Sequence, residues 1–325
     1  MNESLKALLR HVVDYAGLFP PALLDFDAAV RDYARHRAGP HAWMLGRFIC
    51  PSARLPDLET YLEPLFAEGR ALPVSVLCRA PAQPATAAMT LDEDVRAARA
   101  LLDRHGPRVS IELFELKIPA CLTHVEEVRQ LLSAAATVFH THGFARVPAF
   151  WEPLNGDDWR ETHSAVVGGI DAVNAARKAA DGGAAFGFKI RCGGVEPSAF
   201  PPVEQLACGI VSAARAGVPL KFTAGLHHPL RHDNKAAGCT VHGFVNVFTA
   251  AILAGTCGID ESAASEVLAA RDAGAFRFRD DGLRWGDLHA TVDQIASARR
   301  SVATAFGSCS FDEPRDDLLA LGWLP

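Results

Sequence analysis

The sequence predicts an α/β fold, a single (β/α)8-barrel domain over residues 1–325. Three observations carry it: a length that α/β barrels commonly reach as one domain, short strand-like runs alternating with longer helical patterns, and charged residues gathered late in those runs. Apolar residues make up 49 % and charged residues 22 %, the composition of a chain able to bury a large core.

The runs rich in β-branched and aromatic residues are "HVVDYAGLF" (11–19), "AWMLGRFIC" (42–50), "LPVSVLCR" (72–79), "VSIELFELKI" (109–118), "RVPAFWEP" (146–153), "AAFGFKIRC" (184–192) and "PLKFTAGL" (219–226). For the eighth stave the best candidate is "FRFRDDGLRWG" (276–286), although its Asp281-Gly282 also reads as the turn of a hairpin. Amphipathic helices separate the runs. In "LDEDVRAARALLDRHG" (91–106), Thr90 and Glu93 have capping-box spacing, and "PVEQLACGIVSAARAG" (202–217) leads into the seventh strand. The Ala/Pro-rich "APAQPATAAMT" (80–90) follows the third strand at the face where barrel loops build sites, as a lid or a plain connection. "HTH" (140–142) reads as a helix end.

A net charge of -6, with no basic run interleaved with aromatics, argues against nucleic acid as a partner. The apolar stretch "GFVNVFTAAILAG" (243–255) is short of the ~20 residues that span a bilayer, and "MNESLKALLRHVV" does not read as a signal peptide, so a cytoplasmic protein with no membrane partner is expected. The eight cysteines form no C-x-x-C pair and read mostly as buried apolar groups in a reducing compartment. An outward apolar helix face would admit a homo-oligomer.

Alternate residues of a barrel strand point inward. On that rule Ile111, Leu113, Glu115 and Lys117 share one face, as do Phe150 and Glu152, Lys189 and Arg191, and Lys221 and Thr223. Charged side chains are seldom buried unless paired, so the pattern points to a polar site at the barrel mouth. The alternative places Lys189 or Lys221 under the outer helices, or in a structural ion pair with Glu115. Lys117, Lys189, Arg191 and Lys221 outnumber Glu115 and Glu152, and the complement is a small anionic substrate, carboxylate or phosphate, gripped by Arg191. Crowded ammonium groups are expected to depress one another's pKa, leaving one amine free to attack a carbonyl as a Schiff-base nucleophile.

These residues resemble the class I, Schiff-base-forming aldolases of the deoxyribose-phosphate aldolase type, with "LLRHVVDYAGLF", "FGFKIRCGG" and "GVPLKFTAGL" standing in the places of that family's first, sixth and seventh strands. The resemblance runs over roughly residues 5–230. It implies Lys189 as the nucleophile, Lys221 as the neighbour that lowers its pKa, Glu115 as the proton shuttle and Asp14 as the first-strand acid. Where the family has a phosphate-binding glycine turn, this chain has "AGLHHPLRH", so the resemblance does not extend to phosphate. Gly193 and Gly194 offer backbone donors for an anion, or simply a tight turn.

His227, His228 and His232 follow the seventh strand. His227 or His228 could move protons near neutral pH with Arg231 gripping the anion, or the two could join Glu115 or Glu152 around a metal, although no established metal spacing is present. The expected function is therefore a lyase of aldolase type needing no cofactor. The alternatives are a metal-dependent lyase or hydrolase using His227 and His228, and a non-catalytic barrel that binds an anionic metabolite.

Overall fold

A computed structural model describes residues 1–66, 69–154, 158–180, 182–235 and 237–325. Eight parallel strands close into a barrel in the order β1 (Val13–Tyr15), β13 (Ala303–Ser308), β7 (Leu220–Thr223), β6 (Phe186–Arg191), β5 (Ala149–Glu152), β4 (Val109–Lys117), β3 (Leu72–Leu77) and β2 (Leu45–Pro51). The fold is the predicted (β/α)8 barrel. All seven predicted staves are present, each shorter than its apolar run because the run includes the connecting turn.

The eighth stave is a correction. It is β13, whereas residues 276–291 form a three-stranded antiparallel sheet of β10 (Arg277–Phe278), β11 (Gly282–Trp285) and β12 (Leu288–Thr291). The hairpin reading of Asp281-Gly282 was the right one. A small ribbon, β8 (His232–Asn234) with β9 (Cys239–Val241), follows the seventh stave.

The helices that clothe the barrel are α1 (Glu3–Leu9), α2 (Phe26–Ala38), α3 (Glu59–Leu65), α4 (Ala87–His105), α5 (Val125–Thr141), α6 (Trp159–Ala180), α7 (Val203–Arg215), α8 (Phe244–Cys257), α9 (Glu261–Ala269), α10 (Val292–Ser301) and α11 (Asp312–Ala320). Capping is local and legible: Asp25 and Asp260 accept from backbone N–H groups of α2 and α9, and Thr291 with Gln294 forms a capping box on α10. The capping box expected at Thr90 and Glu93 is absent. The helix starts earlier, at Ala87, and Glu93 pairs instead with Arg79 at 2.7 Å.

The apolar run 243–255 becomes α8, which packs against the barrel, its Asn246 donating to the carbonyls of Val267 and Ala270. Among the described residues no helix is long and apolar enough to cross a membrane. Cys50, Cys78, Cys192, Cys208 and Cys309 are buried, Cys121 and Cys257 are exposed, and all eight are free thiols. Residues 80–86 connect β3 to α4 with a 3-10 turn at Pro84–Thr86, and 87–90 are the first turn of α4. "HTH" closes α5, with His142 on Asp92 at 2.7 Å.

Candidate active site at the barrel mouth

The inward alternation places polar side chains in two tiers. On the upper tier the Lys189 Nζ lies 2.8 Å from Glu115 Oε2 and 2.8 Å from Glu152 Oε2, and Arg191 Nε donates to Glu152 Oε1 at 2.9 Å. On the lower tier Lys221 is paired with Asp14, and its Nζ is 3.5 Å from Glu115 Oε1. Lys189 and Lys221 are register partners on adjacent strands, and Glu115 joins the two tiers by presenting one carboxylate oxygen to each amine. Lys189 is 4 % exposed, Glu115 1 %, and Asp14 and Lys221 are completely enclosed.

Supporting groups come from β2 and β3. Ser75 donates its hydroxyl to Glu115 Oε1 at 2.6 Å, and the Arg47 backbone N–H donates to Asp14 Oδ1 at 2.8 Å while its guanidinium lies 3.5 Å from the same oxygen. Gly46 makes room for this carboxylate: a Cβ there would sit 2.4 Å from Asp14 Oδ1. The burial of so many charges is tolerable because every one has a partner of opposite sign.

Above the upper tier opens a cavity of about 310 Å³. Glu115, Glu152, Lys189 and Arg191 form part of its lining, with Lys117, Thr223, Gly194 and His227 among the other wall residues. Lys221 and Asp14 lie outside that lining. The volume suits a metabolite of a few carbons, at the small end of ligand sites.

Burial opposes charge on Glu115, Glu152 and Lys189, and the ion pairs outweigh it. Burial raises the Glu115 carboxyl, but Lys189 and Lys221 pull it down to about 2, from an ordinary 4.5. Glu152 is likewise lowered, against its burial, by Lys189 and Arg191. Burial pulls the Lys189 ammonium down, yet Glu115 and Glu152 raise it above its usual range. The expectation that Lys221 would depress Lys189 is therefore corrected. Glu115 stands between the two amines, with one carboxylate oxygen toward each.

His227 stands at the rim, its Nδ1 2.9 Å from Glu313 and 3.9 Å from the Cys309 thiol. Burial lowers its pKa, and Cys309 and Glu313 more than restore it, to about 9. The other loop groups part company with the site. His228 pairs with Asp317 at 2.5 Å, Arg231 Nη1 is 3.0 Å from His242 Nδ1, and neither residue lines the mouth cavity. Adjacent histidines point apart, so His227 and His228 do not converge on a barrel carboxylate. Among the described residues no group of three or more His, Cys, Asp or Glu side chains is arranged around a metal position.

The Gly193 carbonyl accepts from Arg191 Nη1 at 3.3 Å, and Gly193 lies outside the cavity lining, packed against Gly225 and Phe200 where any Cβ would clash. Gly194 does reach the cavity wall. Ser75, Arg47 and Cys309 were not singled out in the sequence. Ser75 shares its strand face with Leu77, and Arg47 with Ile49, both lining the mouth, so the alternation that located Glu115 was available for them too.

Fold and site together define a (β/α)8 barrel with an ion-paired polar cup at the carboxyl end of its strands. No family model matches the chain, and no curated protein matches it in sequence.

Proposed function

We propose that the protein is a lyase of aldolase type, acting on a small anionic carbonyl compound through a Schiff base on Lys189. The observation that carries this reading is the position of Lys189: a nearly enclosed amine at the floor of a metabolite-sized cavity, held between two carboxylates at 2.8 Å. The likeness of its strand order to class I aldolases supports the same assignment.

Arg191, Lys117 and His227 supply positive charge around the cavity and would hold the substrate's anionic group. Once the Lys189 ammonium has given up its proton to solvent, the amine attacks the carbonyl carbon, a proton moves from the nitrogen to the oxygen to give the carbinolamine, and a further proton taken up on that hydroxyl lets water leave as the iminium forms. The iminium then accepts the electron pair of the carbon–carbon bond that breaks, while a cavity base removes the proton of the departing hydroxyl-bearing fragment. Glu152 keeps Arg191 oriented. Lys221 and Asp14 are positioning residues: they fix Glu115 from below without touching substrate.

The test is turnover and trapping with oxo-acids and hydroxy-aldehydes of three to six carbons. Substrate-dependent inactivation by borohydride, absent in Lys189→Ala, is the expected result, and turnover that persists in Lys189→Ala overturns it. The ammonium character of Lys189 favours one further reading, an anion-binding barrel without turnover. Saturable binding of those acids without any trapped adduct would select it.

A further inference from the structure

At the opposite, amino-terminal end of the strands lies a second cavity of about 740 Å³, more than twice the volume of the mouth. Its basic lining comprises Lys6, Arg10, His11, Arg47, Arg299 and Arg300, and the only carboxylate among its lining residues is Glu3. This concentration stands out in a chain whose net charge is -6.

The ion pairs on the walls are unevenly distributed. Lys6 has Glu3 at 3.7 Å, and Arg47 has Asp14 and Glu112 at 3.5 and 3.3 Å. Among the described residues Arg10, Arg299 and Arg300 have no carboxylate within 4 Å. Arg299 is the telling member, for it is 8 % exposed and its donors go to main-chain oxygens alone: Nε to Leu8 at 2.8 Å, Nη2 to Arg10 at 3.1 Å, Nη1 to Thr304 at 2.5 Å and to Ala303. Burial lowers its pKa to about 9, which still leaves it charged at neutral pH.

The C-termini of α1 and α10 end at this cavity, and helix ends of that polarity favour cations. Each contributes only about half a negative charge, however, so two of them offset roughly one of the three unpaired guanidiniums. Arg299 is the enclosed member, while Arg10 and Arg300 are exposed and solvated; the remaining positive charge faces one open cavity, where an anion from outside is its natural complement. Leu113, Phe150 and Val292 complete the wall with apolar surface.

We infer that the amino-end cavity is a second binding site, specific for a small organic polyanion carrying two or more carboxylate or phosphate groups on an apolar frame. The bidentate geometry of guanidinium suits either group. The site is separate from the mouth, and the inference does not depend on the reaction proposed there.

The test is calorimetric titration of the full chain with citrate and, separately, with inorganic pyrophosphate at low salt. The variants are Arg10→Gln/Arg300→Gln, which changes two exposed side chains and spares the buried Arg299, and Arg191→Gln at the mouth. Saturable binding of at least one probe with a Kd below ~1 mM, weakened about tenfold or more in the double variant and retained in Arg191→Gln, is expected. Tighter binding of citrate would mark a polycarboxylate ligand, and of pyrophosphate a phosphorylated one. Absence of saturable binding by both probes, or binding lost in Arg191→Gln and untouched in the double variant, overturns the inference.

Discussion

Glu115 is the joint between the two tiers, and replacing it with Gln perturbs the cup at one atom. The side chain keeps its shape and its acceptor for the Ser75 hydroxyl but no longer carries the charge that lies 2.8 Å from Lys189 and 3.5 Å from Lys221. The folded carboxyl titrates near 2 and an unfolded one near 4.5, so the charge contributes about 3 kcal/mol to folding at pH 7. The sign follows from proton binding. Below pH 4.5 the unfolded chain takes up a proton that the folded chain refuses, so this stability is fully present above pH 4.5 and is lost as pH falls toward 2. Relative to neutral pH, roughly 1 kcal/mol of it is gone at pH 3.5 and roughly 2 kcal/mol at pH 3. Urea unfolding followed by circular dichroism, for the parent and Glu115→Gln at pH 7, 5, 4 and 3.5, reads the difference directly. The variant is expected to be weaker by about 3 kcal/mol at pH 7, with the gap narrowing below pH 4.5. Parallel stability curves, or a variant as stable as the parent at pH 7, would refute the ion-paired cup.

Three more outcomes follow from the same geometry. Lys221→Met leaves the enclosed Asp14 carboxylate only the more distant Arg47 guanidinium as counter-charge and should cost about 3 kcal/mol in thermal or urea unfolding, with Asp14→Asn in the same chain recovering a large part of the loss. His227, with its pKa near 9, stays cationic through neutral pH, so anion binding at the mouth should weaken as pH rises from 8 to 10, and His227→Gln should flatten that limb in a binding titration. Gly46→Ala drives a methyl group into the Asp14 carboxylate and should lower the melting temperature, whereas Gly143→Ala, whose Cβ would meet nothing within 4 Å, strains only its own backbone and should leave the cup's pH response intact.

Much of the barrel was legible because seven of its staves are apolar runs bounded by turn residues, and because charge late in such a run has one sensible place to go. The eighth was hidden. Ala303–Ser308 carries one aromatic residue, Phe306, and one β-branched residue, Thr304, among small ones, with Gly307 passing close to Ile49 and Thr223, while the aromatic-rich 276–286 segment mimics a stave from outside the barrel. Inward alternation put Glu115, Glu152, Lys189 and Lys221 on the inner face, where the structure has them; the ion pair with Glu115 was the alternative the sequence offered, while the pairings of Lys189 with Glu152 and of Lys221 with Asp14 were not foreseen. The Asp14 to Lys221 pair exists only because β1 and β7 flank the unrecognised β13, a relation set by closure of the sheet. The same gap explains the error over Lys189: with the amines in view and the intervening carboxylates unplaced, repulsion looked dominant. Of the histidines only His227 reaches the mouth, because His227 and His228 point apart and answer to different carboxylates of α11.

The claim that Lys189 is the reacting amine is tested most directly by peptide mass mapping after borohydride reduction in the presence of a trapped oxo-acid, repeated from pH 7 to pH 10. The adduct is expected on the peptide bearing Lys189 and not on that bearing Lys221, with a yield that climbs with pH as the tightly held ammonium gives up its proton. An adduct confined to Lys221 or to surface lysines, or no adduct at any pH, would contradict it.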